Sequence, residues 1–153
     1  MEKEKILIVY YSNSGTAEKI ARHIQKLLPA ADMDRIGYQG KMNKRYSMFA
    51  ALFKVFGAPQ EIEGGTHAPA DYGRLILVCP IWAGMPAPVM RAYFRKHRDV
   101  LKDKKYNLVC VSGGGEDRAM KWLNNEKLPA PVEKLSLKQK RVEAGDYNLT
   151  GII

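Results

Sequence analysis

The chain has 153 residues, 46% of them hydrophobic, which fits one domain with its own core and excludes a multidomain enzyme or a mainly disordered chain. Lys and Arg outnumber Asp and Glu 25 to 16, a net charge of +9, so acidic partners such as nucleic acid or anionic lipid have to be weighed. The longest apolar run, Leu75 to Ala83, is under half the roughly 20 residues of a membrane-spanning helix, and Met1-Glu2-Lys3-Glu4-Lys5 leads into a strand-like run rather than a signal sequence.

In chain order, Lys5 to Tyr11 is a continuous branched and aromatic run, as in a strand buried on both faces. After Ser12-Asn13-Ser14-Gly15, the residues Ile20, Ala21, Ile24, Leu27 and Leu28 recur at helical spacing over Thr16 to Leu28, and Pro29 ends the helix. A second strand is predicted over Ala31 to Ile36, weakened by Asp32 and Asp34. Tyr46, Phe49, Leu52, Phe53 and Phe56 predict a helix over Asn43 to Phe56, and the Gly- and Pro-rich stretch from Gly57 to Ala70 reads as a surface loop. Strands follow at Arg74 to Cys79 and Asn107 to Val111, with helices over Pro86 to Arg98 and Asp117 to Leu128. A last strand falls within Val132 to Glu143, leaving Gly145 to Ile153 too short for another full helix. Strands alternating with helices predict a single α/β domain over residues 1–153, a doubly wound parallel sheet between two helical layers.

The loop after the first strand carries chemistry. Ser12, Asn13, Ser14 and Thr16 offer side-chain donors, and Gly15 permits a sharp turn at a helix start where backbone N–H groups and the helix dipole favour an anion. This suits a phosphate, although Ser14 or Thr16 capping the helix explains the same residues. The Gly-Lys-Ser/Thr triphosphate loop and the dinucleotide glycine fingerprint are both missing.

Tyr10-Tyr11-Ser12-Asn13-Ser14-Gly15-Thr16-Ala17-Glu18-Lys19-Ile20-Ala21 resembles the signature of the flavodoxin-like family, small FMN-binding flavoproteins. Pro80-Ile81-Trp82-Ala83-Gly84 is similar to that family's loop after the third strand, and Leu108 to Gly115 to its fourth strand and glycine-rich loop. The resemblance covers Lys5 to Leu128 and is weak between Gly37 and Gly73. It implies a five-stranded sheet in the order 2-1-3-4-5, with the last helix short or absent. It also implies FMN held by Ser12, Asn13, Ser14, Gly15, Thr16 and Ala17 at the phosphate and by Pro80, Ile81, Trp82, Ala83 and Gly84 along the ring. Ser112, Gly113, Gly114 and Gly115 would take the ring's O2, N3 edge. Ala17 stands where the family usually has a second hydroxyl, a lost hydrogen bond worth about 0.5–1.5 kcal/mol. The Ser112 to Gly115 loop lacks the second aromatic that many relatives stack on the flavin. Trp82 as an ordinary core residue and the three glycines as a plain turn are the competing readings.

The resemblance implies an electron carrier working with a redox partner protein; relatives tend to be acidic and to dock on basic reductases, so the basic clusters of this chain point instead to a partner of acidic surface. An NAD(P)H-dependent quinone or FMN reductase, acting on a small quinone-like acceptor, and a binding module that has lost FMN are the alternatives. No catalytic side chain and no metal site are expected. His23, His67 and His97 read as surface residues, and Asp117 as a helix cap. Cys79 and Cys110 sit in apolar runs without metal-ligand spacing, as buried thiols in a reducing, cytoplasmic setting. Two basic clusters, Arg35 with Lys41, Lys44, Arg45 and Lys54, and Arg91 to Lys105, read as solvated helix faces. No nucleic-acid-binding motif accompanies them, so neither nucleic acid nor membrane is an expected partner. With no full final helix, one apolar sheet face needs cover, either from the tail (Tyr147, Leu149, Ile152, Ile153) or from a second copy in a homodimer, which is the favoured expectation.

Overall fold

A computed structural model describes residues 3–38 and 62–153. The expected helix over Asn43 to Phe56, the basic residues Lys41 to Lys54 and the first part of the expected loop lie outside the described residues. The elements are β1 (Ile6–Tyr10), α1 (Thr16–Leu27), β2 (Asp32–Tyr38), β3 (Ile62–Gly64), a 3-10 turn (Pro69–Asp71), β4 (Arg74–Trp82), β5 (Met85–Pro86), α2 (Pro88–Lys96), α3 (Arg98–Asp103), β6 (Lys105–Ser112), α4 (Ala119–Asn125), β7 (Lys134–Lys138) and α5 (Gln139–Glu143). β2, β1, β4, β6 and β7 lie parallel in that order, which is 2-1-3-4-5 when these five alone are counted. Two short antiparallel strands were not foreseen: β3 extends the edge beside β2, and β5 folds back on β4.

Alternate residues of the central strands feed two cores. Leu7, Val9, Leu75, Leu77, Cys79, Leu108 and Cys110 face α2 to α4, where Val89, Tyr93, Phe94, Leu101, Trp122 and Leu123 complete one layer. Ile8, Tyr10, Ile76, Val78, Val109 and Val111 face α1, whose Ala17, Ile20, Ala21 and Ile24 repeat at helical spacing. Strands buried on both faces cannot alternate polar and apolar residues, which is why the sequence shows continuous runs here.

In the second layer the tail folds across the sheet face, the first of the two expected covers. After α5, Leu149 and Ile152 turn back and are 3% and 2% exposed against Ile8, Val109 and their neighbours. The Asn107 amide donates to the Ile152 carbonyl at 2.7 Å, and His23 Nδ1 shares a hydrogen bond with Tyr147 Oη at 2.9 Å. The tail therefore supplies cover in cis on this face. The final strand is shorter than expected, because Gln139–Glu143 forms a helical turn that buries Val142.

Asp32 and Asp34 do not break β2, because Asp34 is satisfied where it is buried. It accepts from the Thr66 hydroxyl at 3.2 Å, the His67 backbone N–H at 3.0 Å and His67 Nδ1 at 2.5 Å, while Tyr72 Oη donates to Asp32 at 2.5 Å. His67 is thus an anchor for the loop before β4 rather than a free surface residue, and His97 packs its ring 4.4 Å from Tyr93. The basic cluster is also only partly a solvated face: Arg91 is buried, and Arg95 and Arg98 converge on Glu126. Lys96, Lys102 and Lys105 remain exposed.

Candidate functional site

Strand order reverses between β1 and β4, and beyond their carboxyl ends doubly wound sheets leave a crevice. Here it is a cleft of about 600 Å3, within the range of small-molecule sites. Ser12, Asn13, Ser14, Thr16 and Ala17 line one side, Pro80 to Gly84 a second and Ser112 to Gly115 a third. Of the residues singled out from the sequence, only Gly15 does not face the cleft. It stands behind as the residue before α1, at φ +97, a conformation glycine adopts without strain.

The first loop decides between a helix cap and an anion cradle. No side chain caps α1. Ser12 Oγ accepts from Gly15 N at 3.0 Å, bracing the loop, and the Ser14 and Thr16 hydroxyls lie 3.3 Å apart. The first-turn N–H groups of a 12-residue helix, with these hydroxyls beside them, are set up for an oxyanion. Ala17 is both a cleft residue and 2% exposed against the α1 core, so the smaller side chain also serves packing.

The second wall is strand rather than loop, another departure from expectation. β4 runs on through Pro80, Ile81 and Trp82, then reverses through Ala83 and Gly84 so that Trp82 pairs with Met85. Both turn residues have positive φ, 51 for Ala83 and 83 for Gly84, as the tight mirror-image hairpin turn demands. The turn is tied down at both ends: Ala87 N donates to Pro80 O at 2.9 Å and Arg118 N to Gly84 O at 2.8 Å. Trp82 is half-buried, edge-on to Tyr11 at 5.9 Å between ring centroids. It is the only aromatic side chain among the described residues lining the cleft.

In the third wall no protein atom lies within 4 Å of where a Cβ would stand on Gly114 or Gly115. Their lack of side chains answers no packing demand of the protein and leaves bare backbone toward the cleft. Behind this loop, Asp117 accepts from Ala119 N at 2.9 Å and Ser136 Oγ at 2.7 Å and pairs with Lys134 at 3.1 Å. Burial alone would raise its pKa, but the Ser136, Ala119 and Lys134 bonds outweigh it and hold the carboxyl below its ordinary value. Asp117 therefore joins the loop and the start of α4 to β7 rather than acting in the cleft.

Glu116, Arg118 and Gln139 also line the cleft and escaped sequence reasoning. Gln139 opens α5, beyond the reach of the motif similarity, and the Glu116–Arg118 pair at 3.0 Å follows the glycines in plain polar sequence. Among the described residues no cluster of His, Cys, Asp or Glu could hold a metal ion, and no helix is long and apolar enough to cross a membrane.

No protein-family model and no curated protein matches this sequence. Solved structures do. A flavoprotein of Lactobacillus acidophilus NCFM in complex with FMN superposes with a TM-score of 0.72 at 18% identity, covering 93% of this chain and 98% of that one. The apo form of the flavoprotein from that organism gives 0.65 at 16% identity, covering 94% and 97%. The two-electron reduced flavodoxin of Megasphaera elsdenii gives 0.57 at 18% identity, covering 86% and 85%. The chain has the flavodoxin-like fold.

Proposed function

We propose that the protein binds FMN noncovalently in this cleft and carries electrons between a reductase and an acceptor. The observation that carries the reading is the uncapped start of α1, ringed by Ser12, Asn13, Ser14 and Thr16, opposite the Trp82 wall and the bare Gly113 to Gly115 backbone. These donors suit a phosphate, a half-buried indole suits a flat apolar ring, and three small residues leave N–H groups for a polar ring edge. When bound, FMN supplies the redox chemistry and can pass one or two electrons. The protein's part is to hold the phosphate, orient the ring and exclude water from its inner face. Its fold and the FMN-bound neighbour support this reading.

A second reading has its own observation. With no aromatic facing Trp82 among the described lining residues, the outer side of the cleft can admit a second flat molecule, as an NAD(P)H-dependent quinone or FMN reductase requires. Adding FMN to apo-protein while following flavin fluorescence, then NADPH under anaerobic conditions, separates these. Saturable binding followed by slow bleaching supports the carrier, and rapid bleaching without a reductase supports the enzyme. No saturation below about 100 μM leaves only a binding module.

The net charge of +9 and the exposed Lys96, Lys102 and Lys105 favour a redox partner with an acidic surface. Electron exchange with such a partner is expected to slow as ionic strength rises, and stopped-flow rates independent of salt would rule out docking by charge. Cys79 and Cys110, buried as free thiols that share a hydrogen bond at 4.0 Å, suit a reducing, cytoplasmic setting.

A further inference from the structure

The glycine-rich wall is held from behind by a cation. Lys138, the last residue of β7, lies beside Ser112 in the parallel register. Its ammonium donates to Ser112 Oγ at 3.2 Å and to the Gly115 carbonyl at 2.9 Å, the two ends of the Ser112 to Gly115 loop. The next residue, Gln139, lines the cleft itself.

The neighbouring charges are already matched. Glu116 pairs with Arg118 at 3.0 Å and Asp117 with Lys134 at 3.1 Å, and no carboxylate pairs with Lys138 among the described residues. One unneutralised positive charge therefore stands fixed against a cleft wall whose inner surface is uncharged backbone.

We propose that Lys138 is a positioning and tuning residue: it straps the Ser112 to Gly115 loop and, through its charge, favours a ligand that becomes more negative on reduction. This rests on the FMN reading above. Two electrons and one proton added to FMN leave the ring with one more negative charge than before, whereas oxidised FMN carries its negative charge on the phosphate alone. Lys138 is exposed and solvent screens its charge, so the preference for the additional negative charge is expected to be about tenfold at most, on the scale of a unit charge at the effective dielectric of about 20 found near a protein surface. Lys138 thus makes the second electron easier to add, which fits a donor that delivers electrons in pairs or one of only moderate reducing power.

The test compares wild type with Lys138→Gln, which keeps a donor and loses the charge, and Lys138→Arg, which keeps both. Affinity for oxidised FMN is measured by fluorescence, and the midpoint potentials by anaerobic dithionite titration against a reference dye. Lys138→Gln is expected to weaken binding of reduced FMN by up to about tenfold more than of oxidised FMN, lowering the second potential by up to about 59 mV for one electron, while Lys138→Arg stays near wild type. Equal weakening of both forms, or unmoved potentials, would show a strap without a tuning role and overturn the proposal while FMN binding stands. A wild type that binds no FMN removes both readings together.

Discussion

Individual side chains here are explained by what they touch. Trp82 lines the cleft while Trp122 is 7% exposed and away from it, against Phe94 and under the Arg95 guanidinium. FMN is therefore expected to quench tryptophan emission strongly in wild type and in Trp122→Phe but weakly in Trp82→Phe. Equal quenching in the two variants would place the ring elsewhere. The pKa values of His67 and His97 are shifted in opposite directions. The bond to Asp34 raises the pKa of His67 against the lowering effect of burial, with the Asp34 and Asp32 charges adding to the rise. Burial, then the charge of Lys96, lowers that of His97. The His67 contribution to stability is fully present below the ordinary value of about 6.5 and is lost as pH rises through its higher folded value; that of His97 is present above about 6.5 and lost on acidification. Denaturation of His67→Ala should thus show a larger loss relative to wild type at about pH 5 than at about pH 9. A loss that grows with pH would contradict the Asp34 anchor.

At the scale of elements, the hairpin of β4 and β5 that forms one cleft wall is sensitive to a single added carbon. Gly84 has φ +83, and a Cβ there would meet Arg118 Cδ at 3.3 Å and the Glu116 carbonyl at 3.5 Å. Gly84→Ala is expected to cost about 1–2 kcal/mol for the left-handed backbone and to disturb the Arg118 to Gly84 bond, read as a lower urea midpoint together with weaker FMN binding. The cleft depends on such joints more than on any one element. Its walls end β1, β4 and β6 and are braced by Ser12, by the Arg118 N–H, by Asp117 and by Lys138.

For the whole molecule, the tail closes the α1 side of the sheet. Leu149 and Ile152 are almost fully buried, and burying two such side chains contributes about 3–6 kcal/mol, a large share of the roughly 5–15 kcal/mol of a typical domain. A chain ending at Glu143 should unfold at much lower urea or self-associate through the uncovered face, as light scattering would show. Stability and size equal to the full chain would mean the tail is not needed as cover.

The alternation of strands and helices, the two buried faces and the polar loop after β1 were legible in the sequence, because continuous apolar runs such as Ile6 to Tyr10, helical spacing in α1 and small-residue loops at strand ends follow from local geometry; the strand order and the other two cleft walls came only from the resemblance. The similarity of three short motifs pointed to the same cleft. What the sequence could not show depends on residues far apart in the chain. β3 needs β2 beside it, Asp34 is tolerable only because Thr66 and His67 reach it, and Lys138 matters only because β7 lies next to β6. Judged by propensity, the tail reads as too short for a helix, and so as weaker cover for a sheet face than a second copy. Tertiary packing decides otherwise: a few apolar side chains can cover a sheet face without regular structure, since burial depends on the area removed from water and not on the backbone that delivers it.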